Sequence, residues 1–223
     1  MITVHHLNNS RSQRILWLLE ELGVAYEIKS YLRDPATMLA PPELRAVHPL
    51  GKSPVITDGP QTIAESGAII EYLLERYDEK DRLRPPAGSP GRLRYTYWLH
   101  FAEGSAMTPL LLKLVFDRIE AAPKPFFIKP IARGISAQVI DGFVGPNLTR
   151  ILDFMESELC AREWFAGAEF SAADIQMSFP IELFHLRGGL NDTHPKLMRF
   201  LQRIHALPAY QRALSKGGAY DLI

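Results

Sequence analysis

The stretch HPLGKSPVITDGPQTIAESGAIIEYL, His48 to Leu73, limits the possible folds more than any other part of the chain. Pro54 stands at the head of an apolar strand, Val55-Ile56. A proline costs a ladder hydrogen bond there, so it belongs at an edge or at a strand entrance. A cis Ser53–Pro54 bond is the other solution. It would turn the backbone of residue 53 outward and leave its N–H and C=O free. A tight turn and a second strand follow. Then Glu65-Ser66 opens a helix in which Ile69, Ile70 and Leu73 recur at helical spacing. Ser66 reads as its N-cap. A helix N-terminus with free N–H groups holds a carboxylate well. One segment thus offers a backbone edge for an extended peptide and, a hairpin away, a place for its carboxylate.

The flanking pattern alternates. Ile2–Leu7 and Tyr26–Tyr31 read as strands. Ser12–Leu22 reads as an amphipathic helix closed by Gly23, and Pro42–Val47 as a short helix. The order β-α-β-α-β-β-α is the one a thioredoxin-like domain requires. Residues 78–91, DEKDRLRPPAGSPG, are charged and then rich in proline and glycine. The expected division is a first domain over residues 1–78, a linker over 79–91 and an all-helical domain over 92–223. In the second part, Arg92–Arg118 reads as a long helix kinked at Pro109. Residues 121–130 read as a loop, and Gly145-Pro146 as a break between two helices. Ser171 to Asp174 has the pattern of a capping box.

Composition excludes several classes of function. Twenty-five lysines and arginines balance 25 aspartates and glutamates, which argues against a nucleic-acid or polybasic membrane partner. The chain has no apolar run near the length of a membrane span, and its first residues read as a strand rather than a signal peptide. A lone cysteine, Cys160, permits no internal disulfide framework, fits a reducing compartment and reads as inert packing. The histidines show no ligand spacing with carboxylates or cysteine, so no metal is expected. In Asn8-Asn9-Ser10-Arg11-Ser12-Gln13-Arg14, the plain reading makes Ser10 or Ser12 a helix cap and Arg14 a solvated surface residue.

Together these residues resemble the glutathione-binding domain of cytosolic glutathione transferases. HHLNNSRSQRILWLLEELGVAYEIKSY and APPELRAVHPLGKSP look closest to the fungal and bacterial branch typified by the yeast enzymes. In the second half the likeness rests on YWLHFAEGS and FSAADIQMSFP. The resemblance implies an α/β thioredoxin-like domain followed by an all-α domain, with reduced glutathione as co-substrate and no other cofactor. It implies that Lys52, and less closely His48, meets the glycyl carboxylate, and that Ser53 contributes its backbone beside cis-Pro54. Glu65 would take the γ-glutamyl ammonium and Ser66 the γ-glutamyl carboxylate. Glu103, in a polar stripe with Tyr97 and His100, would approach the ammonium of a neighbouring subunit, because a homodimer is implied. In serine-type members the activating serine precedes an arginine by four residues, as Ser10 precedes Arg14. Ser12, nearer the helix, is the alternative, and Arg11 or helix N–H groups are a third source of thiol activation. The loop after the first strand lacks cysteine, which rules out a dithiol cycle. The implied activity is conjugation of glutathione to small hydrophobic electrophiles, or reduction of organic hydroperoxides, in the cytoplasm. The competing expectation is a non-catalytic binding or scaffold module.

Overall fold

The computed structural model describes residues 1–218, 220 and 221. A four-stranded sheet has the order β2-β1-β3-β4. Strand β1 (Ile2–Leu7) runs parallel to β2 (Tyr26–Tyr31) and antiparallel to β3 (Val55–Asp58), and β3 runs antiparallel to β4 (Gln61–Ala64). Helix α1 (Ser12–Leu22) makes the crossover that a parallel pair needs. Helix α2 (Pro42–Val47) leads to the proline turn, and α3 (Ser66–Tyr77) follows β4. The architecture is thioredoxin-like, and the Ser53–Pro54 bond is cis.

Helix α1 is the physical centre of the molecule. Ile15, Leu16, Trp17, Leu18 and Leu19 are all fully buried. The preceding turn, Ser12, Gln13 and Arg14, is buried as well, so this stretch of the helix is covered on every side. The sheet covers one side of α1 and the helical half covers the other. Trp17 meets the ring of Tyr210 edge-on at 5.1 Å. One continuous core runs from Ile2 through Trp17 to Ala213, so the two halves share a single apolar interior.

The helical half begins with α4 (Pro90–Phe101), inside the segment read as a linker, where the Ser89 hydroxyl accepts from Arg92 N–H at 3.2 Å. Proline at the first helical position needs no N–H. Pro109 does not stand in the middle of one long helix. A π-helical turn over Ala102–Ala106 precedes α5 (Met107–Ala121), and Pro109 sits in the first turn after it. The widened turn takes up the hydrogen bond that proline cannot make. The expected break at Gly145-Pro146 is absent for the same reason. Helix α6 (Lys129–Val139) passes through a π turn over Ile140–Val144 straight into α7 (Gly145–Ala161). The expected loop therefore ends at Ile128. Helix α8 (Ala172–Leu183) opens on the anticipated capping box and carries Pro180 inside it, with a third π turn over Phe184–Gly188. Helices α9 (Pro195–His205) and α10 (Pro208–Gly217) follow. Helix α10 lies so close to α1 that a Cβ on Gly217 would stand 2.8 Å from Gln13 Oε1.

Cys160 corrects its expectation. The buried face of α7 is Leu148, Leu152, Met155 and Leu159, and Cys160, one residue further, is exposed. Among the described residues, no helix is long and apolar enough to cross a membrane, and no cluster of His, Cys, Asp or Glu could hold a metal ion.

Candidate functional site

A cavity of about 200 Å³ opens between the proline turn, the start of α3 and the π turn after α4. Its wall contains His48, Lys52, Ser53, Pro54, Glu65, Ser66, Glu103 and Arg11. Eight of the ten candidate residues, from four separate stretches of sequence, thus meet at one place. Ser10 and Ser12 do not line it.

The two serines are separated by their contacts. Ser12 is fully buried, with its hydroxyl 2.9 Å from His6 Nδ1 and 2.7 Å from Ser10 Oγ. Ser10 is one step nearer the cavity, donating to Ser53 Oγ at 3.3 Å, and Ser53 in turn donates to the His5 carbonyl at 3.1 Å. Neither serine caps α1 as its N-cap residue. Arg11 holds that position, and the Ser12 N–H reaches Ser10 Oγ at 3.3 Å. Burial lowers the pKa of His6, against a raising contact from the Gly217 backbone. Burial thus favours the neutral imidazole at the end of the hydroxyl chain.

Ser66 is not the N-cap of α3. Glu65 occupies that position with φ +70°, ψ 125°, a conformation costly for any residue with a Cβ, and Ser66 is the first helical residue. Strain of about 1–3 kcal/mol persists only where neighbours over-determine the backbone, and it clusters at functional sites. Here the Glu65 carbonyl accepts from Ile69 N–H at 2.9 Å, and β4 ends immediately before it. The result turns the Glu65 side chain and the free N–H groups of α3 toward one cavity. The Ser53 N–H and C=O take no part in the hydrogen bonds found among the described residues.

Arg14 overturns its surface reading. It is 1% exposed, and its guanidinium joins three elements. Nη1 donates to the Gln176 carbonyl at 2.6 Å, and Nη2 donates to Ser66 Oγ at 2.9 Å and to Glu103 Oε1 at 2.5 Å. Gln176 needs this donor for a reason written in the sequence. Its helical partner four residues on is Pro180, which has no N–H. Arg14 fills the vacancy that the proline makes.

Glu103 is held by its own chain. Arg11 Nε lies 2.9 Å from its second oxygen. Burial raises the Glu103 carboxyl, but Arg14 and Arg11 outweigh that and hold it below the usual carboxylate range. The arrangement offers cations, carboxylates, a helix N-terminus and unpaired backbone to one ligand. That set matches a peptide carrying both charges.

Comparisons with known proteins give the family. Residues 10–76 match the glutathione S-transferase N-terminal domain, and residues 144–208 match its C-terminal domain. Glutathione S-transferase 3 of Schizosaccharomyces pombe is 40% identical over 182 residues, 81% of this chain and 73% of that protein. Glutathione S-transferase 1 of Saccharomyces cerevisiae is 31% identical over 227 residues, 98% and 96% of the two chains. The crystal structure of a glutathione S-transferase from Actinobacillus pleuropneumoniae superposes with a TM-score of 0.79 at 36% identity, covering 100% of this chain and 95% of that one. A sphingomonad glutathione S-transferase complexed with glutathione shares the fold at a TM-score of 0.72 and 22% identity, over 97% and 98% of the chains. With its cis-proline turn, its strained Glu65-Ser66 helix start and its helical second half, this chain belongs to the glutathione S-transferase family.

Proposed function

We propose that the cavity binds reduced glutathione as an extended peptide and delivers its thiolate to a small electrophile. The observation that carries this reading is the convergence of Lys52, Ser53, Glu65 and Ser66 on one cavity. Ser53 offers unpaired backbone to the cysteinyl unit, and Lys52, with His48 nearby, faces the glycyl carboxylate. The N-terminus of α3 and the Ser66 hydroxyl receive the γ-glutamyl carboxylate, because Arg14 donates to Ser66 Oγ and leaves the serine proton free to donate. Glu65 attracts the ammonium, and Glu103, which the resemblance assigns to a neighbouring subunit's ligand, lines the cavity of its own chain and attracts it too. The sphingomonad fold relative binds glutathione, as its structure shows, which supports the same use of the fold.

In the transfer step the thiolate sulfur attacks an electrophilic carbon. For a chloronitroarene, a C–S bond forms, the C–Cl bond breaks, chloride leaves with the bonding pair, and the thiol proton goes to solvent. For an organic hydroperoxide, the sulfur takes the terminal oxygen as the O–O bond breaks, and the alkoxide takes up a proton to become an alcohol. A second glutathione then displaces water from the sulfenic acid to give the disulfide.

Ser10 is the favoured activating hydroxyl, since it touches the cavity-wall residue Ser53 whereas Ser12 is engaged by His6. Its proton must swing from its serine partners to the thiolate. Activation alone is modest. A free thiol of pKa about 8.5 is roughly 3% ionised at pH 7, and lowering it to about 6.5 makes it roughly 75% ionised. A Brønsted slope of about 0.4–0.5 gives back roughly 8-fold of that gain. Positioning of the second substrate must supply the rest. Homodimer formation and a cytoplasmic setting belong to the same reading. The family supports both, and the exposed Leu50, Leu93 and Tyr97 support the dimer.

Calorimetric titration with glutathione, beside turnover of 1-chloro-2,4-dinitrobenzene and cumene hydroperoxide, tests the proposal. Ser66→Ala and Glu65→Gln should each weaken binding by about 1–3 kcal/mol, the range for hydrogen bonds to charged groups. Unchanged affinity in both variants refutes the ligand assignment. Binding without turnover of either substrate refutes the transfer step in favour of a binding module.

A further inference from the structure

The loop of residues 8–11 carries Ser10, and most of it is tied down by its neighbours in sequence or in the sheet. Asn8 N–H donates to the Tyr31 carbonyl at 3.1 Å, and Asn8 Oδ1 accepts from Arg33 N–H at 2.9 Å. The Ser10 and Arg11 carbonyls accept from Gln13 N–H at 3.3 Å and Arg14 N–H at 3.2 Å, which fastens them to the first turn of α1. Asn9 lies between these anchors. Its φ is +50°, a left-handed conformation that asparagine tolerates better than most residues with a Cβ. Among the described residues its backbone makes no hydrogen bond.

The Asn9 side chain is held from the other end of the sequence. Its Nδ2 donates to Asp221 Oδ2 at 2.8 Å, and its Oδ1 accepts from Asp221 N–H at 2.8 Å. Both halves of the amide are used on one residue, 212 positions away. A left-handed turn alone does not require that, since glycine or an unpartnered asparagine serves as well.

The segment after α10 is built to hold Asp221 there. Gly217 packs so closely on α1 that a Cβ would stand 2.9 Å from Leu16. The Tyr220 hydroxyl donates to Glu182 Oε2 at 2.5 Å. Glu182 is 2% exposed, and its other oxygen accepts from the Tyr210 hydroxyl at 2.7 Å. Burial, and then Glu182, raise the Tyr220 phenol well above its usual range, so it keeps the proton it donates. The segment is thus fastened to α1, to α8 and to the Ser10 loop in turn.

We infer that Asn9 is a positioning residue for thiol activation: clamped by Asp221, its amide fixes the one untied point of the loop and so aims the Ser10 hydroxyl at the bound sulfur. The inference rests on the transfer reading above, in which Ser10 donates to the thiolate, and deepens it. A hydrogen bond weakens steeply with misalignment, and a donor on a loosened loop gives up part of its effect.

The test reads the pKa of bound glutathione, as thiolate absorbance against pH at saturating ligand, in wild type, Asn9→Gly, Ser10→Ala and the double variant. Glycine accepts the left-handed turn and removes both clamp bonds without changing charge. Ser10→Ala should raise the pKa by about one pH unit, the loss of a hydrogen bond to a charged group. Asn9→Gly should raise it by about half as much, a partial loss of the same bond. The double variant should match Ser10→Ala to within about 0.3 pH units, because the clamp acts only through that hydroxyl. Asp221→Ala should raise the pKa as well, whereas the loss of its charge alone would stabilise a thiolate and lower it. Affinity for glutathione should change less than about twofold in Asn9→Gly, since the amide touches no part of the peptide. A wild-type pKa in Asn9→Gly, a shift that persists in full in the double variant, or a lowered pKa in Asp221→Ala overturns the inference and leaves the transferase reading standing. A wild-type pKa in Ser10→Ala overturns both this inference and the choice of Ser10. A wild-type protein that binds no glutathione overturns the transferase reading itself.

Discussion

Replacing Arg14 with methionine should cost about 2–3 kcal/mol of stability and loosen the cavity at Ser66. Methionine keeps most of the volume, so the loss is polar. The Gln176 carbonyl, deprived by Pro180 of its helical donor, loses its remaining partner, and an orphaned buried acceptor costs about 1–3 kcal/mol. Ser66 loses a bond from a charged donor, a kind worth about 1.5–3 kcal/mol. Glu103 loses Arg14 but keeps Arg11, and its side chain is 33% exposed, so this pair is discounted to at most about 1 kcal/mol. Against these, the folded state no longer has to desolvate a guanidinium. A sum above the quoted range is therefore not expected. Urea unfolding gives the stability, and calorimetric titration with glutathione gives the consequence for Ser66. The sharper check is a cycle with Pro180→Ala, which restores an N–H opposite Gln176. The double variant should recover about 1 kcal/mol beyond additivity, the worth of one backbone hydrogen bond. An Arg14→Met protein of wild-type stability, or a cycle additive to within about 0.5 kcal/mol, shows that the proline vacancy is not what Arg14 fills.

Two further outcomes are expected. Ser10→Ala should raise the pKa of bound glutathione, read as thiolate absorbance against pH, with affinity nearly unchanged, whereas Ser12→Ala should mainly lower stability through its lost His6 contact; the reverse pattern refutes the choice of Ser10. Asp174, fully buried, is pushed up to about 6 by burial, against the pull of the Phe165 and Ser171 N–H groups and the Ser171 hydroxyl. Because the folded form holds its proton more tightly than the unfolded chain, this contribution is complete below about pH 4 and is lost as pH rises through 6. Asp174→Asn should flatten the stability profile across that window, and an unchanged slope by chemical denaturation would argue against it.

The sequence was sufficient wherever the cause is local. Strand and helix spans in the first domain follow from apolar spacing, and Gly23 and the Ser171 to Asp174 box mark helix ends through bonds that span a few residues. The proline turn and the Glu65-Ser66 pair were legible because a whole family motif lies within 26 consecutive residues, His48 to Leu73. Errors came where a local rule met a longer-range compensation. Gly145-Pro146 reads as a break, but a π turn just before it carries the helix through, as another precedes Pro109. Ser66 was read as a cap because serine favours that position, whereas Glu65 is held there at positive φ by the geometry leaving β4.

Arg14 marks the limit most clearly. Both of its signals stood in the sequence: an arginine inside the apolar run of α1, and a proline inside α8 that leaves one carbonyl without a donor. Nothing local connects them. The carbonyl lies 162 residues further along the chain and Glu103 lies 89, so the match of donor to acceptor exists only once both helices have packed on α1. Periodicity and capping act through the backbone within a turn or two and are set by residue order. The partner of a buried charge, and the sign of the field over a cavity, are set by which surfaces meet. Only the tertiary structure decides that.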